Sequence, residues 1–565
     1  MMITLLAQLV APTIQRGPIR LPGTDAVIER KVPKDSKTII DKAPLESSSE
    51  KNAPEPSNRF RQEDIEAAKN LIQNVKGATA LPNEEIIKTL AECLGKDKTI
   101  FTKNCASSLA AKYISKGYVN TRVYLDEAPD HKSLEVIEGR VVEISVDSND
   151  QRLKQRVSKL LKPLQGEILN VGKIEKDLQL LKRLPEIGLV RGNLARLGSD
   201  PSQGVLKINV KRGTSPWRGE ASIRNDGSSG SGEARAVGAI FKSNLLSIED
   251  NLLIYGELSS NDTPKLGSAI SSLSYTIPVS ENIKFTGSLG FSRRNLIELP
   301  KPANGFSTSQ YQSLFQTEWA FSETLRNKWA LTAGLNYSRS NNYFNNKALP
   351  RVLPSAIRTP QDGYLKLGIS TNSIGNSALW SGGIFYLQGL NQFMPEEQRR
   401  EFAEIDIIPN NARALGGELA SGIVLSPAIQ MNLRAAGQIA ISPLTNSMQF
   451  ALGSDAGLKG LPGQLISGDS GWLTSIEINY NVWQRNENTI QLSPFFGIGG
   501  VDTDGGGIEL NDEIGSTGLL IRFIAGQHWS TEVGYAYQFW ADNNEGPWED
   551  WLLDGGLYTK IRYRF

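Results

Sequence analysis

The stretch QFALGSDAGLKGLPGQLISGDSGWLTSIEINY, from Gln449 to Tyr480, joins a long glycine-rich segment to a strictly alternating one. From Trp472 onward, apolar or aromatic residues alternate with polar ones that include Glu477 and Asn479. One apolar face and one polar face are typical of a membrane β-barrel strand, with lipid outside and water inside. The glycine-rich segment would leave backbone polar groups unpaired in hydrocarbon, so we expect it outside the lipid or inside the lumen. Loops of this length are usually functional.

The composition excludes several classes of protein. The 565 residues are 39% hydrophobic, with a mean hydropathy of −0.29, and no apolar run approaches the ~18 residues of a transmembrane helix. Barrel strands hide their apolar residues in alternation, so a membrane location stays open. The 61 basic residues nearly balance the 60 acidic ones, which gives no reason to expect a nucleic-acid partner.

Motifs of enzymes and metal sites are absent from the sequence. The two cysteines and two histidines have no metal-ligand spacing, and no phosphate-binding loop or nucleophile elbow is present. We therefore predict no enzymatic activity, no cofactor and no metal. Cys93 and Cys105 would form a disulfide in an exported protein and stay reduced in the cytosol, and the sequence leaves both states open.

Alternating segments of about 10 residues, separated by Gly, Asn, Asp and Ser turns, occupy the chain from Trp217 onward. We predict a transmembrane antiparallel β-barrel of about 16 strands over 213–565, with a luminal loop at 449–471. The predicted strands start near Trp217, Glu233, Asn251, Gly267, Ile283, Tyr311, Lys328, Gly363, Ser377, Gly417, Ile429, Ser470, Thr489, Gly515, His528 and Gly555.

The last two predicted strands have the clearest faces. Aromatic and β-branched residues occupy every second position from Trp529 to Phe539, and Ile561, Tyr563 and Phe565 alternate with basic residues at the end of the chain. One such segment also fits an exposed sheet of a soluble protein. About sixteen in succession would be hard to assemble into a soluble fold with protected edges.

Residues 61–212 have the pattern of two small periplasm-type α+β modules, at 61–147 and 148–212. The first module contains a predicted strand at Val141–Val146, and the second contains an amphipathic helix at Lys173–Leu184. Residues 1–60 begin with a short apolar run that lacks a basic start, which we interpret as a leader remnant. A Pro-, Lys-, Ser- and Glu-rich linker follows it.

Several local matches together resemble the outer-membrane transporters of two-partner secretion, whose polypeptide-transport-associated (POTRA) modules precede a barrel. YISKGYVNTRVYL with VIEGRVVEISV resembles the first POTRA module of that family, and LQLLKRLPEIGLVRGNLARLGSDPSQGVLKINV the second. SIRNDGSSGSGEARAVGAIFKSNLL is similar to the start of the first hairpin, and QIAISPLTNSMQFALGSDAGLKGLPGQLISGDSGW to the long sixth extracellular loop that folds into the lumen.

The resemblance implies a function in protein export. The partner would be a large unfolded exoprotein, the cargo, which binds the periplasmic modules and leaves through the barrel. Leu178, Leu181 and Leu184 are candidate cargo contacts, although the same helical face fits a module core. Outer-membrane lipid and the barrel assembly machinery would be further partners, with Ile561, Tyr563 and Phe565 as the insertion signal. The segment Thr13–Leu21 lies where the family has a plug helix.

Two departures from the family concern the predicted loop. Its tip usually reads Val-Arg-Gly-aromatic, whereas this chain has Leu458, Lys459, Gly460 and Leu461 at the tip, followed by Gly468 and Asp469. The family's arginine pairs with a wall aspartate, and Gly497 stands at that position here. Lysine lacks the guanidinium fork. Glu477, Glu532 and Asp469 are candidate substitute partners for Lys459, unless the lysine is simply solvated.

Two other functions remain as alternatives. A factor that inserts other barrels into the outer membrane has the same plan but usually more periplasmic modules. A diffusion porin lacks the soluble arm. The oligomeric state and the identity of the cargo are not encoded in any motif that we recognise.

Overall fold

The computed structural model describes residues 62–94, 100–128, 131–197, 200–213, 216–228, 230–261, 265–375, 377–505, 508–540 and 551–565. The predicted leader remnant, linker and plug-like segment at 1–60 lie outside these residues. Contacts divide the chain into two units at residue 214.

The first module begins with a helix that the sequence analysis missed, α1 (Gln62–Leu71). Its inner face is short, because only Ile65, Ala68 and Leu71 pack against the core of the module. The remaining elements are α2 (Asn83–Cys93), α3 (Lys103–Ser115), β1 (Val75–Lys76), β2 (Arg122–Ala128) and β3 (His131–Ile137). The three strands form a sheet in the order β1-β3-β2.

A disulfide and a hydrogen-bonded carboxylate stabilise the first module. Cys93 and Cys105 form a disulfide between α2 and α3, with 5.0 Å between their Cα atoms. The carboxylate of Glu138 accepts hydrogen bonds of 2.6 Å from both Thr79 N and Ala80 N, and one of 2.9 Å from Tyr113 Oη. Burial alone would raise the pKa of Glu138, but the hydrogen bonds outweigh it and the pKa is lowered.

The second module contains a sheet in the order β4-β6-β5 under two helices. Its elements are β4 (Arg140–Asp147), α4 (Gln151–Leu161), α5 (Val171–Lys182), β5 (Ile187–Leu197) and β6 (Asp200–Arg212). Side-chain caps start both helices: Asp150 accepts hydrogen bonds from Arg152 N and Leu153 N, and Asn170 accepts one from Lys173 N.

The strand β4 corrects the predicted boundary between the modules. The first module was predicted to end at residue 147, whereas β4 pairs in parallel with β6 of the second sheet. The division between the two sheets therefore falls between Ile137 and Arg140. Alternation identifies a strand but carries no information about which distant strand it pairs with.

The second unit is a closed antiparallel barrel of sixteen long strands in the described chain, as the sequence predicted. Their bounds are β7 (Arg218–Arg224), β8 (Ala234–Ser243), β9 (Asn251–Ser260), β10 (Leu266–Pro278), β11 (Ile283–Asn295), β12 (Phe306–Glu323), β13 (Asn327–Phe344), β15 (Gln361–Ile374), β16 (Ala378–Gly389), β17 (Arg413–Ser426), β18 (Ile429–Ala440), β21 (Ser470–Arg485), β22 (Asn488–Gly505), β23 (Ile508–Ala525), β24 (Trp529–Trp540) and β25 (Leu557–Arg564).

Short elements occupy the connections between barrel strands. They are β14 (Lys347–Ala348), α6 (Ser355–Arg358), α7 (Glu396–Ala403), β19 (Phe450–Leu452) and β20 (Ile466–Gly468). Strand β25 pairs with β7, Tyr563 lying opposite Ala221, and this pairing closes the barrel. Closure removes the free sheet edges that would otherwise lie in lipid.

Each barrel strand presents one face outward and one inward, as alternation predicted. On β24 the side chains of Tyr535 and Tyr537 are 59% and 58% exposed, whereas Glu532 is 3% exposed. On β25 Ile561 is exposed and Arg562 is buried, while Tyr563 is half-buried between two aromatic neighbours; Phe565, the residue after the strand, is exposed. Apolar outward and polar inward faces fit a wall between lipid and a wet lumen.

Candidate functional site

The long loop between β18 and β21 folds into the barrel lumen. Strands β19 and β20 pair antiparallel and form an arm, Phe450 lying opposite Gly468. The tip of the arm, from Gly453 to Leu465, lies against the inner wall. We call this arm with its tip, residues 450–468, the luminal loop.

Apolar side chains seat the luminal loop on the wall. Leu458 and Leu461 are fully buried and belong to one cluster with three wall residues, Leu473, Val501 and Ile514. These three occupy inward positions that face water in an open barrel. Their apolar character follows from the loop that covers them.

The backbone of the tip makes direct hydrogen bonds to the wall. The carbonyl oxygen of Lys459 accepts a bond of 2.6 Å from Ser516 Oγ on β23, and that of Gly460 accepts one of 3.0 Å from Gln538 Nε2 on β24. Gly460 has a φ of +83°, and a Cβ there would lie 2.7 Å from Ala536 Cβ. Both the conformation and the close approach require glycine.

Lys459 enters a cluster of four charges. Its Nζ lies 2.5 Å from Glu477 Oε2 on β21 and 3.6 Å from Glu532 Oε2 on β24. Arg522 on β23 bridges the same two carboxylates at 3.1 Å each. Arg522 also donates to Asn479 Oδ1 at 3.0 Å. We call Lys459, Glu477, Arg522 and Glu532 the lysine cluster. Its two cations and two anions balance, which lowers the cost of removing them from water.

A second cluster holds the loop through an acidic residue. Oδ1 of Asp455 accepts a bond of 2.6 Å from Arg235 NH1 on β8 and lies 3.7 Å from Arg224 NH2 on β7. Arg235 also pairs with Glu257 at 2.6 Å, and Arg224 pairs with Asp226 at 2.9 Å. We call these five residues the aspartate cluster. The backbone supports it, since Gly463 N donates to Gly227 O at 2.7 Å.

The structure brings together two of the three predicted partners of Lys459. Glu477 and Glu532 both contact its ammonium group, so the lysine is not simply solvated. Asp469 was a wrong expectation: its carboxylate accepts bonds from Leu444 N at 3.0 Å and Gln449 Nε2 at 2.9 Å. A carboxylate at the base of the arm cannot reach the tip, and the sequence does not show how far the chain turns between them.

Gly497 stands where the resemblance places an aspartate. The neighbouring Leu458 explains why this position has no side chain. A Cβ at Gly497 would lie 3.0 Å from Leu458 Cδ2, so the leucine occupies the space of a side chain there. Gly468 is also tightly placed, because its Cβ would lie 2.9 Å from Val501 Cβ on β22. These glycines allow the loop to approach the wall closely.

The candidate cargo contacts of the second module lie mostly in its core. Leu178 and Leu181 have no exposed surface, and Leu184 is half-buried. The expectation that this helical face meets a partner is therefore wrong for Leu178 and Leu181. An amphipathic pattern shows that a face is buried, but the covering element here is the module's own sheet.

Six charged residues of the site were not predicted from the sequence. They are Arg224, Asp226, Arg235, Glu257, Asp455 and Arg522. The available signal was a charged residue at an inward position of an alternating strand, such as Arg522 between the outward Ile521 and Phe523. That signal marks a luminal charge without naming its partner.

Within the described residues, no group of three or more His, Cys, Asp or Glu is arranged to hold a metal ion. None of the helices in the described ranges is both long and apolar enough to span a membrane.

A family model described as "Haemolysin secretion/activation protein ShlB/FhaC/HecB" matches residues 202–520, more than half of the chain. The "Outer membrane transporter CdiB" of Dickeya dadantii is 24% identical over 66% of this chain and 65% of its own length. That of Escherichia coli is 21% identical over 87% and 81%. The solved structure of CdiB from Escherichia coli has a TM-score of 0.56 at 17% identity, over 87% of this chain and 89% of that one.

Proposed function

We propose that this chain, which belongs to the ShlB/FhaC/HecB family of haemolysin secretion/activation proteins, exports an unfolded exoprotein through its β-barrel. The family is one of two-partner secretion transporters, and the chain is located in the outer membrane with POTRA-like modules on the periplasmic side. What passes through it, and how, belongs to the proposal.

The luminal loop supports the proposal most directly. It is bound to the inner wall by two charge clusters and by backbone hydrogen bonds, inside a barrel whose inward faces are polar. The apolar contacts of Leu458 and Leu461 add to this binding. The wall groups of both clusters have partners of their own, so release of the loop leaves no buried charge of the wall alone. The loop is therefore suited to leave the path of a cargo.

The two modules, at 62–137 and 140–213, would receive the cargo in the periplasm. Strand β2 is an edge of the first sheet and β5 is an edge of the second. An unfolded chain can add a strand to such an edge through main-chain hydrogen bonds, which require no particular sequence. Binding at an edge also fits the burial of Leu178 and Leu181, which removes that helical face from consideration.

The proposal needs no bound nucleotide. The sequence contains no phosphate-binding loop. We infer that folding of the cargo outside the cell makes export directional, because a folded chain cannot return through the lumen. Ile561, Tyr563 and Phe565 would serve earlier, as the signal by which the assembly machinery inserts this barrel.

Deletion of the gene tests the function. We expect a large β-rich exoprotein to accumulate in the periplasm and to disappear from the medium, and re-expression of the chain to restore it. Immunoblots of the two fractions measure this result. If porin levels in the outer membrane collapse instead, the chain is an assembly factor and the export proposal is wrong.

Substitution of Lys459 tests the role of the loop within that function. Lys459→Ala removes the positive charge of the loop but leaves Arg522 between Glu477 and Glu532, so we expect the barrel to fold normally. Loss of a charge-assisted bond costs about 1.5–3 kcal/mol, and we expect secretion to be impaired. Secretion at the wild-type rate would show that Lys459 does not position the loop.

A further inference from the structure

The two charge clusters hold the same short segment of the luminal loop. Asp455 and Lys459 are separated by three residues, yet one enters the aspartate cluster and the other the lysine cluster. Their charges are opposite, so the wall offers each a different set of partners. The tip is therefore bound at two points rather than one.

The two points lie on either side of the strand that closes the barrel. The ion-pair partners of Asp455 are on β7 and β8, and those of Lys459 are on β21 and β24. The barrel order is β24-β25-β7-β8, so β25 runs between the two sets. The segment from Asp455 to Lys459 therefore crosses the pairing of the last strand with the first.

In both clusters the charged groups of the wall have partners of their own. Arg235 is paired with Glu257 and Arg224 with Asp226, whether or not Asp455 is present. Arg522 contacts Glu477 and Glu532 in the same way without Lys459. Breaking a buried ion pair is costly mainly because it leaves a buried charge alone. Here departure of the loop leaves each wall charge with a partner.

We propose that Asp455 is a second positioning residue of the luminal loop, and that Asp455 and Lys459 together form a two-point latch that the wall can release without stranding a buried charge. The biological role of this latch rests on the proposed export function. The binding of the loop at two points, however, can be tested without cargo.

The latch makes a quantitative prediction because the two points act on one segment. The loop must give up both ion pairs to leave the lumen, so the free-energy costs add and the effects on the open state multiply. A charge-assisted bond worth about 1.5–3 kcal/mol corresponds to about a 10- to 100-fold change in an equilibrium. A loop held only at Lys459 would show no effect of Asp455.

The experiment measures single-channel currents of the purified full-length protein in planar lipid bilayers. Asp455→Asn keeps the size of the side chain and removes its charge. We expect it to raise the ratio of open to closed time about 10- to 100-fold, and the double variant with Lys459→Met to exceed both single variants. Asp455→Glu, which restores the charge, should return the ratio toward that of the wild type.

Asp406→Asn is the matched control. Asp406 is an exposed residue of an extracellular connection with a φ of 60°, a conformation that asparagine accepts. The same loss of one carboxylate there should leave the currents unchanged. Resistance of the folded barrel to heating in SDS, seen on a gel, should be unchanged in Asp455→Asn, because Arg235 keeps Glu257.

Two outcomes would overturn the latch. One is an open-to-closed ratio for Asp455→Asn equal to that of Asp406→Asn, and the other is loss of the folded barrel in Asp455→Asn but not in Asp455→Glu. Bilayer currents do not depend on an exoprotein. The latch therefore fails or holds independently of the periplasmic accumulation that tests export.

Discussion

Two stretches of the inner wall of the barrel are built from different chemistry. The wall that carries the loop, from β21 through β25 to β9, contains the two charge clusters. The wall from β10 to β13 is lined at mid-height by hydroxyl and amide side chains that bond to one another. These pairs include Ser274 with Ser288 at 2.8 Å and Gln310 with Ser338 at 3.0 Å.

The contrast fits the proposed export, in which the lumen would separate holding from passage. Charges are concentrated where the luminal loop is bound, and each wall charge has a second partner there. Neutral side chains that satisfy one another have little to offer a passing chain beyond weak hydrogen bonds, each worth about 0.5–1.5 kcal/mol. Such a surface is hydrated but binds a chain only weakly.

The largest expected effect comes from removing the centre of the lysine cluster. Arg522→Ala removes the guanidinium that bridges the buried Glu532 and Glu477, and Lys459, Lys560 and Arg562, the other cations near Glu532, do not supply that fork. Loss of one member of a buried ion pair costs about 3–5 kcal/mol, so we expect the barrel to unfold at a lower temperature in SDS. Arg522→Lys should recover part of the loss, because it restores the charge without the fork. If Arg522→Ala resists heating in SDS as well as the wild type does, the lysine cluster does not stabilise the barrel.

An intermediate effect is expected from the position that departs from the family. Gly497→Asp places a side chain against Leu458. The Cβ of the new residue alone would lie 3.0 Å from Leu458 Cδ2. Overpacking of this kind costs about 1–3 kcal/mol, and we expect a loosened loop with raised channel opening in bilayers.

The family's own combination gives the control for that variant. Adding Leu458→Val and Lys459→Arg to Gly497→Asp makes room and supplies a guanidinium fork for the new carboxylate. We expect channel opening to fall back toward the wild-type value in this triple variant. If Gly497→Asp alone leaves the currents unchanged, Leu458 does not decide the residue at 497.

The smallest effect is expected on the hydroxyl-lined wall. Ser288→Ala removes one neutral hydrogen bond with Ser274, which costs about 0.5–1.5 kcal/mol at most. We expect secretion and channel currents to match those of the wild type. A secretion defect as large as that of Lys459→Ala would contradict the division of the lumen into a holding wall and a passive one.

Much of the fold was predictable because barrel and module elements have strong local patterns. Predicted strand starts such as Asn251, Ile283, Ile429 and Ser470 coincide with the observed ones. Helix α1 was missed because its apolar face is only three residues long. In the site, Lys459 was selected because the loop tip resembles the family's tip motif, and Glu477 and Glu532 were selected as substitutes for the family's aspartate. Asp455 lacked such a signal, since a single aspartate in a glycine-rich loop has many roles.

The sequence by itself determined the local properties of this protein. Alternation defines which side chains face lipid, glycine permits the bend at the loop tip, and the terminal aromatic strand ends the barrel. The tertiary structure alone decided the pairings: β4 with the second sheet, Asp455 with Arg235, and Cys93 with Cys105. The physical reason is that periodicity is set by neighbours along the chain, whereas an ion pair or a strand pairing depends on residues that only folding brings within a few ångströms.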